Sequence, residues 1–429
     1  MPCRNISLKA GSDRRFIRAT YRSNRFILAE ITAPHAHVEP GTERRRPPVN
    51  LAFVLDRSGS MAGDKLRLAK LAVEGSLARL GADDRFSIVV YDDRVDTVFE
   101  STKASAEARR AALTALEGIT ARGSTDLAGG WLRGCEQVAL HLDTAGVNRA
   151  LLLTDGLANV GITGVDELTS HAANLRARGV STTTFGVGAD FDEHLLQQIA
   201  TAAGGNFYYI ADAAQIADYV TSEVGEALDV VARDVALEIA APESVVVESL
   251  SPFPVETRTG RTVVTLGALV AEQVVQVVLR LNFPLGDLGR ETGVVLSLSD
   301  RDRVAGEESV SIGWQYADSK TNDLQERDAE VDRAVARIFA ARARQEASQL
   351  NRRGDYPAAQ AALAAVAKRI RGYAGRDPDM HGLIAQLESD ATTLAAPMAP
   401  AAAKAMYFAS YTQARMRAPD GKAMKGKPQ

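Results

Sequence analysis

At 429 residues the chain is too long for one hydrophobic core, and at roughly 150 residues per domain it should divide into about three modules. An apolar share of 46% and a charged share of 24% exclude a disordered or fibrous chain. Fifty basic residues against 54 acidic ones, a net charge of -4, withhold the positive field of a protein built chiefly to hold nucleic acid.

In chain order, NISLKA, FIRATY and RFILAEI between residues 4 and 33 have the alternating, β-branched character of short strands, broken by the turn-like GSDRR and RSNR. HAHVEPGTERRRPP follows as an exposed connector, and a new domain begins near Val49. From there to about residue 228, strands at 50–56, 85–91, 149–155 and 180–188, with an edge strand at 95–100, alternate with helical stretches at 65–80, 104–117, 126–142, 166–179 and 193–205. Such alternation predicts a mostly parallel, doubly wound sheet with helices on both faces. After Val230 a period of two returns in VALEIAA, SVVVESLS, TVVTLGAL, EQVVQVVLRLNF, TGVVLSLSD and ESVSIGW, about six strands of an antiparallel sandwich. Beyond Asp323 the pattern is helical, with DAEVDRAVARIFAARARQEASQL, PAAQAALAAVAKRI and HGLIAQLESDATTL.

The resulting division is 1–45 as strands joining the sandwich, 46–228 as the α/β domain, 229–320 as the sandwich, 321–396 as a helical hairpin region, and 397–429 as a weak helix with a flexible basic tail. Three N-terminal strands cannot bury a sheet face alone, so the economical arrangement completes one sandwich from both flanks and inserts the α/β domain between them. No apolar run of eighteen residues occurs, and MPCRNISLKAGSDRR lacks the apolar stretch of a secretory signal, so a soluble, cytoplasmic protein without a membrane span is expected. Cys3 and Cys135, sparse and far apart, suit a reducing compartment.

Three loop segments gather oxygen donors where open α/β sheets bind ligands, beyond the carboxyl ends of strands. They are Asp56, Ser58 and Ser60 in DRSGSM after the first strand, Thr125 in GSTD before a helix, and Asp155 in LLLTDG at the end of another strand. All five offer only oxygen, which suits a hard cation such as Mg²⁺ or Mn²⁺. Taken singly, each has a plain structural alternative: a polar turn, a helix N-cap, a tight Asp-Gly turn. Asp126 reads as a helix-start charge and not as a ligand.

The spacing D-x-S-G-S, followed by a later Thr and a later strand-end Asp, resembles the metal-ion-dependent adhesion site of von Willebrand factor A domains. DRSGSMAGDKLRLAK, DDRFSIVVY, GSTDLAGG and LLLTDGLANVGI are similar to bacterial members of that family over roughly residues 48–228. The resemblance implies a Rossmann-like domain in which Ser58 and Ser60 bind the metal through their hydroxyls. It also implies that Thr125 binds directly or through water, and that Asp56 and Asp155 hold metal-bound waters. With few carboxylates on the ion, it would stay electrophilic and accept an Asp or Glu from a protein partner. The reading is therefore a non-enzymatic, Mg²⁺-dependent interaction module, a scaffold or assembly factor. The alternatives are a metal-dependent phosphohydrolase and an accessory subunit of an AAA-type ATPase or chelatase assembly. The chain shows no HExxH, P-loop or G-x-S-x-G, and neither His nor Lys within the three loops.

Other motifs have bland readings. His35, His37 and Glu39 at alternate positions run into Pro40 and Gly41 and read as an exposed connector more than a metal site, and Arg44 to Arg46 as a solvated hinge. Trp131 and Cys135, four apart on a helix, read as core. Tyr407, Phe408 and Tyr411, interleaved with basic residues, read as the docking face of a last amphipathic helix.

Overall fold

The computed structural model describes residues 5–36 and 46–426. The chain divides into two compact units, Val38–Val230 and the combination of Met1–His37 with Val231–Gln429. It opens with β1 (Ser7–Ser12), β2 (Phe16–Arg18) and β3 (Ser23–Thr32).

The inserted unit then runs β4 (Val49–Asp56), α1 (Asp64–Leu77), β5 (Arg85–Tyr91), β6 (Val95–Lys103), α2 (Ala106–Glu117), α3 (Leu127–Ala139), β7 (Val147–Thr154), α4 (Val165–Ala177), β8 (Ser181–Val187), α5 (Glu193–Ala202), β9 (Phe207–Ile210) and α6 (Ile216–Leu228). Its sheet has the order β6-β5-β4-β7-β8-β9, all parallel except the antiparallel edge strand β6. β4 and β7 are buried along their whole length, because a parallel sheet covered by helices on both faces has no solvent side and so needs continuous apolar runs such as LAFVL and ALLL. The short strand β9 and helix α6, absent from the sequence reading, complete the far edge.

In the other unit, β10 (Val230–Ala240), β11 (Val246–Ser249), β12 (Val255–Arg258), β13 (Arg261–Val270), β14 (Val274–Phe283), β15 (Glu291–Ser299) and β16 (Ser309–Ala317) build two facing sheets together with the N-terminal strands. One has the order β1-β3-β14-β11 and the other β12-β13-β10-β15-β16-β2. The β3–β14 ladder, from Ser23↔Phe283 to Thr32↔Val274, lies in the middle of the four-stranded sheet, and β2 adds parallel to β16 at the edge of the other. Ile27, Ala29 and Ile31 of β3 point inward with Val277, Leu279 and Leu281 of β14, against Leu237, Leu296 and Trp314 of the opposite sheet.

The chain ends in α7 (Ser319–Leu324), α8 (Ala329–Arg352), α9 (Tyr356–Arg371), α10 (Pro378–Thr393) and α11 (Pro400–Ala414). Asp328, Asp355 and Asp377 cap α8, α9 and α10, each carboxylate accepting first-turn N–H groups. α8 is apolar on two faces. Ala336, Ala340, Ala343 and Ala347 pack with Leu363 and Ile370 of α9, while Val331, Val335 and Ile338 cover Phe26, Leu28 and Val278 on the outside of the four-stranded sheet. β3 is thus buried on both sides, which accounts for its unbroken FILA run.

The segment expected to be a flexible basic tail is tied down over residues 417–426. Lys425 bridges to Gln273, the Val274 N–H donates to the Met424 carbonyl at 2.9 Å, and the Gly426 N–H donates to the Glu272 carbonyl at 2.9 Å. Tyr407, Phe408 and Tyr411 of α11 are buried. No helix among the described residues is long and apolar enough to cross a membrane.

Candidate metal centre

β4 and β7 are parallel neighbours, and β4 also pairs with β5, so the order of strands reverses between β4 and β7. Loops leaving the two strands at such a switch point turn to opposite faces of the sheet and open a crevice at the carboxyl ends. Asp56 is the last residue of β4, and Asp155 follows the last residue of β7, Thr154.

The first loop is organised by Asp56, which is fully buried. Its Oδ1 accepts the Ser58 N–H at 2.7 Å, and its Oδ2 accepts the Thr154 hydroxyl at 2.6 Å. The first bond curls the chain into the 3-10 turn Gly59–Met61 and turns the serine side chains together. Ser58 Oγ lies 3.1 Å from Ser60 Oγ, and Ser60 Oγ donates to Asp155 Oδ1 at 2.7 Å. Burial pushes the Asp56 carboxyl up, the Thr154 and Ser58 hydrogen bonds hold it down, and the charge of Asp155 adds to the rise. The net direction is upward.

Thr125 is placed by its backbone. Its N–H donates to Asn159 Oδ1 at 3.0 Å, and its carbonyl accepts the N–H groups of Asn159 and Val160, both at 3.3 Å. Its hydroxyl faces the same glycine as Ser60: a Cβ added to Gly156 would lie 3.5 Å from Thr125 Oγ1 and 3.8 Å from Ser60 Oγ. The N-cap role belongs instead to Asp126, whose carboxylate accepts the Gly129 N–H at 2.9 Å. The structure therefore brings Asp56, Ser58, Ser60, Thr125 and Asp155 into one crevice.

The loops are also tied to each other. The Gly59 N–H donates to the Gly123 carbonyl at 3.1 Å, and the Arg122 N–H to the Arg57 carbonyl at 2.8 Å. Gly123 has φ +68° and lies so close to Asp93 that a Cβ would come 2.1 Å from its Oδ1, so only glycine fits there without displacing that loop. Beneath, Asp92 Oδ2 accepts Arg57 Nε at 2.9 Å and Arg122 Nε at 2.7 Å, and both guanidinium groups also reach Asp96. Burial works against the Asp92 carboxylate. Arg122, the Arg94 N–H and Arg57 outweigh it and hold the carboxyl below its usual range.

Lys65, from the first turn of α1, reaches the crevice from outside the three loops. Its Nζ lies 2.5 Å from Asp155 Oδ2 and 3.4 Å from the Ser60 carbonyl. Sequence reasoning missed this residue, as it missed Thr154, Asn159 and the Arg57–Asp92–Arg122 lattice. Thr154 directly precedes Asp155, and Lys65 stands five residues after Ser60 at the start of the next helix, so both were within reach of a local reading.

The donor set fits a small divalent cation. Ligands about 2.1 Å from an octahedral ion lie about 3 Å from their neighbours. The Ser58–Ser60 hydroxyl separation, 3.1 Å, is of that size without rearrangement, and Asp155, which accepts the Ser60 hydroxyl at 2.7 Å, stands one hydrogen bond behind. The Lys65 ammonium on Asp155 shows that the crevice already attracts positive charge. Among the described residues no group of three or more His, Cys, Asp or Glu converges as a metal site, so hydroxyl-rich composition sets this crevice apart.

The remaining sequence candidates have structural roles. His35 pairs with Glu272 at 2.5 Å, while His37 and Glu39 lie outside the described residues. Arg46, expected in a solvated hinge, instead grips both oxygens of Asp84; Arg44 and Arg45 lie outside the described residues. Trp131 is fully buried, with its Nε1 donating to Thr182 Oγ1 at 3.0 Å, and buried Cys135 packs beside the same hydroxyl.

The von Willebrand factor type A domain family model matches residues 50–222. The Escherichia coli protein YfbK is 33% identical over 199 residues, 45% of this chain and 34% of its own length. A Synechocystis protein, sll0103, is 33% identical over 166 residues, 39% of this chain and 38% of its own. The chain therefore spans about a third of the length of these curated relatives. Among solved structures, a von Willebrand factor type A protein from Catenulispora acidiphila aligns with a TM-score of 0.70 over 91% of this chain and 89% of its own, at 20% identity, a likeness of fold alone.

Proposed function

Residues 50–222 form a von Willebrand factor type A domain, a type that commonly mediates metal-dependent protein–protein interaction, and from that premise we propose that this chain is a Mg²⁺- or Mn²⁺-dependent binding module. Ser58, Ser60 and Thr125 would hold the ion, Thr125 directly or through water, with Asp56 and Asp155 acting through water. When bound, the ion supplies a Lewis-acidic position for an Asp or Glu carboxylate of a protein partner.

The chain's own residues do the rest. Thr154 and the Ser58 N–H fix both oxygens of Asp56, so the turn carrying the two serines keeps its shape. The Arg57–Asp92–Arg122 lattice holds the Thr125 loop against the serine loop. Lys65 compensates Asp155 and must give way, wholly or in part, to a divalent ion. The observation that carries the reading is the chain of oxygens Ser58–Ser60–Asp155 at the switch point, with Thr125 facing the same glycine. Binding, and a role as scaffold or assembly factor, is favoured over hydrolysis because the three loops carry no histidine and, among the described residues, the crevice is lined by hydroxyls and by carboxylates already engaged by Thr154, Ser60 and Lys65.

Affinity capture with the full chain tests this. A partner should be retained in Mg²⁺ and released by EDTA, lost with Ser58→Ala, and weakened by an Asp→Asn or Glu→Gln change in the partner. Retention that is indifferent to EDTA and to Ser58→Ala would overturn it.

A further inference from the structure

The helical part of the second unit holds a cavity of about 770 Å³, within the range of small-ligand sites. Matching faces of three helices form its walls: Arg337 and Arg344 seven apart on α8, Gln386 and Asp390 on α10, and Met406 and Gln413 on α11. Met416 and Met424 close it from the segment that follows. The apolar share of the wall is thus rich in thioethers, which adapt to ligand shape at little cost.

Its described lining is richer in arginine than in carboxylate. Of the described lining residues only Asp390 is acidic, beside Arg337, Arg344 and Arg417. Asp390 is already used: its Oδ2 accepts Arg344 Nε at 2.7 Å, and Gln413 Oε1 accepts Arg344 Nη1 at 3.2 Å. Arg337 is half-buried, and no described residue forms a hydrogen bond or ion pair with it. Burial lowers its basicity, and Asp379 and Glu330 act on it only as charges at longer range. A half-buried guanidinium that no described residue engages keeps its N–H groups available, and a planar anion can take two of them at once.

We propose that this cavity is a binding site for a small amphipathic anion, whose carboxylate or phosphate head meets Arg337 and whose apolar body lies along Met406, Met416 and Met424. The Arg344–Asp390 pair borders the head without competing for it, since each already satisfies the other. The site is independent of the metal centre, and its test does not depend on that reading.

Sodium decanoate and decyl phosphate are titrated calorimetrically into the full chain, with acetate as a head-only probe and decyltrimethylammonium as a tail carrying the opposite charge. One saturable site is expected for at least one of the two anions, and the better binder identifies the head. Arg337→Gln should weaken that binding at least tenfold, and Ala409→Trp, which fills the cavity, should remove it while helicity and the unfolding temperature are retained. Acetate should bind far more weakly, and decyltrimethylammonium should not compete. Absence of saturable binding by both anions, binding unchanged in Arg337→Gln or in folded Ala409→Trp, or equal competition by the cationic tail would each overturn the proposal.

Discussion

Lys65→Gln should tighten binding of a divalent ion. In the structure the Lys65 ammonium sits 2.5 Å from Asp155 Oδ2, the Asp155 carboxylate is fully buried, and the lysine side chain is 30% exposed. A hydrogen bond between charged groups contributes about 1.5–3 kcal/mol, and partial exposure places this one toward the lower end. An incoming ion must displace that interaction or bear the repulsion of a nearby positive charge, so the lysine opposes metal binding by about 1.4 kcal/mol, a factor of about ten. Calorimetric titration of Mn²⁺ into wild type, Lys65→Gln and Lys65→Arg measures the effect. Lys65→Gln should lower Kd about tenfold, and Lys65→Arg, which keeps the charge, should remain near wild type. An unchanged or raised Kd in Lys65→Gln would refute the reasoning, because Lys65 would then be an accessory and not a competitor.

Glu223 of α6 accepts Arg149 and Thr183 on one oxygen and Asn206 and Tyr208 on the other, wholly out of solvent. Glu223→Ala would leave Arg149 buried and unpaired and should cost about 3–5 kcal/mol in urea denaturation, whereas a loss below about 1 kcal/mol would count against a structural role. Asp84 is opposed by burial, but Arg46 and the N–H groups of Val49 and Gly81 outweigh it and hold the carboxyl below its usual range. Its contribution is therefore full above the unfolded carboxylate pKa of about 3.9 and is lost as pH falls through the lower folded value. The stability gap between wild type and Asp84→Asn should be constant from pH 7 to about 5 and shrink below about pH 4; a gap that widens on acidification would reverse the sign. Deleting residues 1–36 removes the strand that pairs with all ten residues of β14. The truncated chain should expose that edge and aggregate in light scattering, and a monomeric, cooperatively folding product would show that the sandwich stands without β1–β3.

The oxygen donors of the crevice were legible in the sequence because each is anchored to a local signal. Asp56 and Asp155 end unbroken apolar strands, and Ser58 and Ser60 follow two and four residues behind Asp56. The parallel sheet was legible for the same reason, since strands covered on both sides cannot hide among polar residues. The parts that escaped are those fixed only by tertiary approach. Arg57, Asp92 and Arg122 converge from three loops and Asp96 from the start of β6, and no spacing announces them. β9 has only four residues and β12 four, all exposed in the latter, so neither carries a readable alternation. The ordered path of residues 417–426 depends on the edge of Gln273 and Val274, some 150 residues away in sequence, and its composition alone reads as a solvated tail. Arg337 likewise looks like one arginine among many on an exposed helix until α10 and α11 enclose it.

Mn²⁺ titration followed by electron paramagnetic resonance, comparing wild type with Ser58→Ala, decides whether the oxygen-lined crevice at the β4–β7 switch point is a metal centre. Ser58 is buried but sits on a loop, and its replacement by Ala removes one hydroxyl and no apolar packing, so the variant should stay folded and unfold close to the wild-type temperature. One Mn²⁺ should bind per wild-type chain and none in the folded variant at the same concentrations. Equal Mn²⁺ binding by folded Ser58→Ala would contradict it.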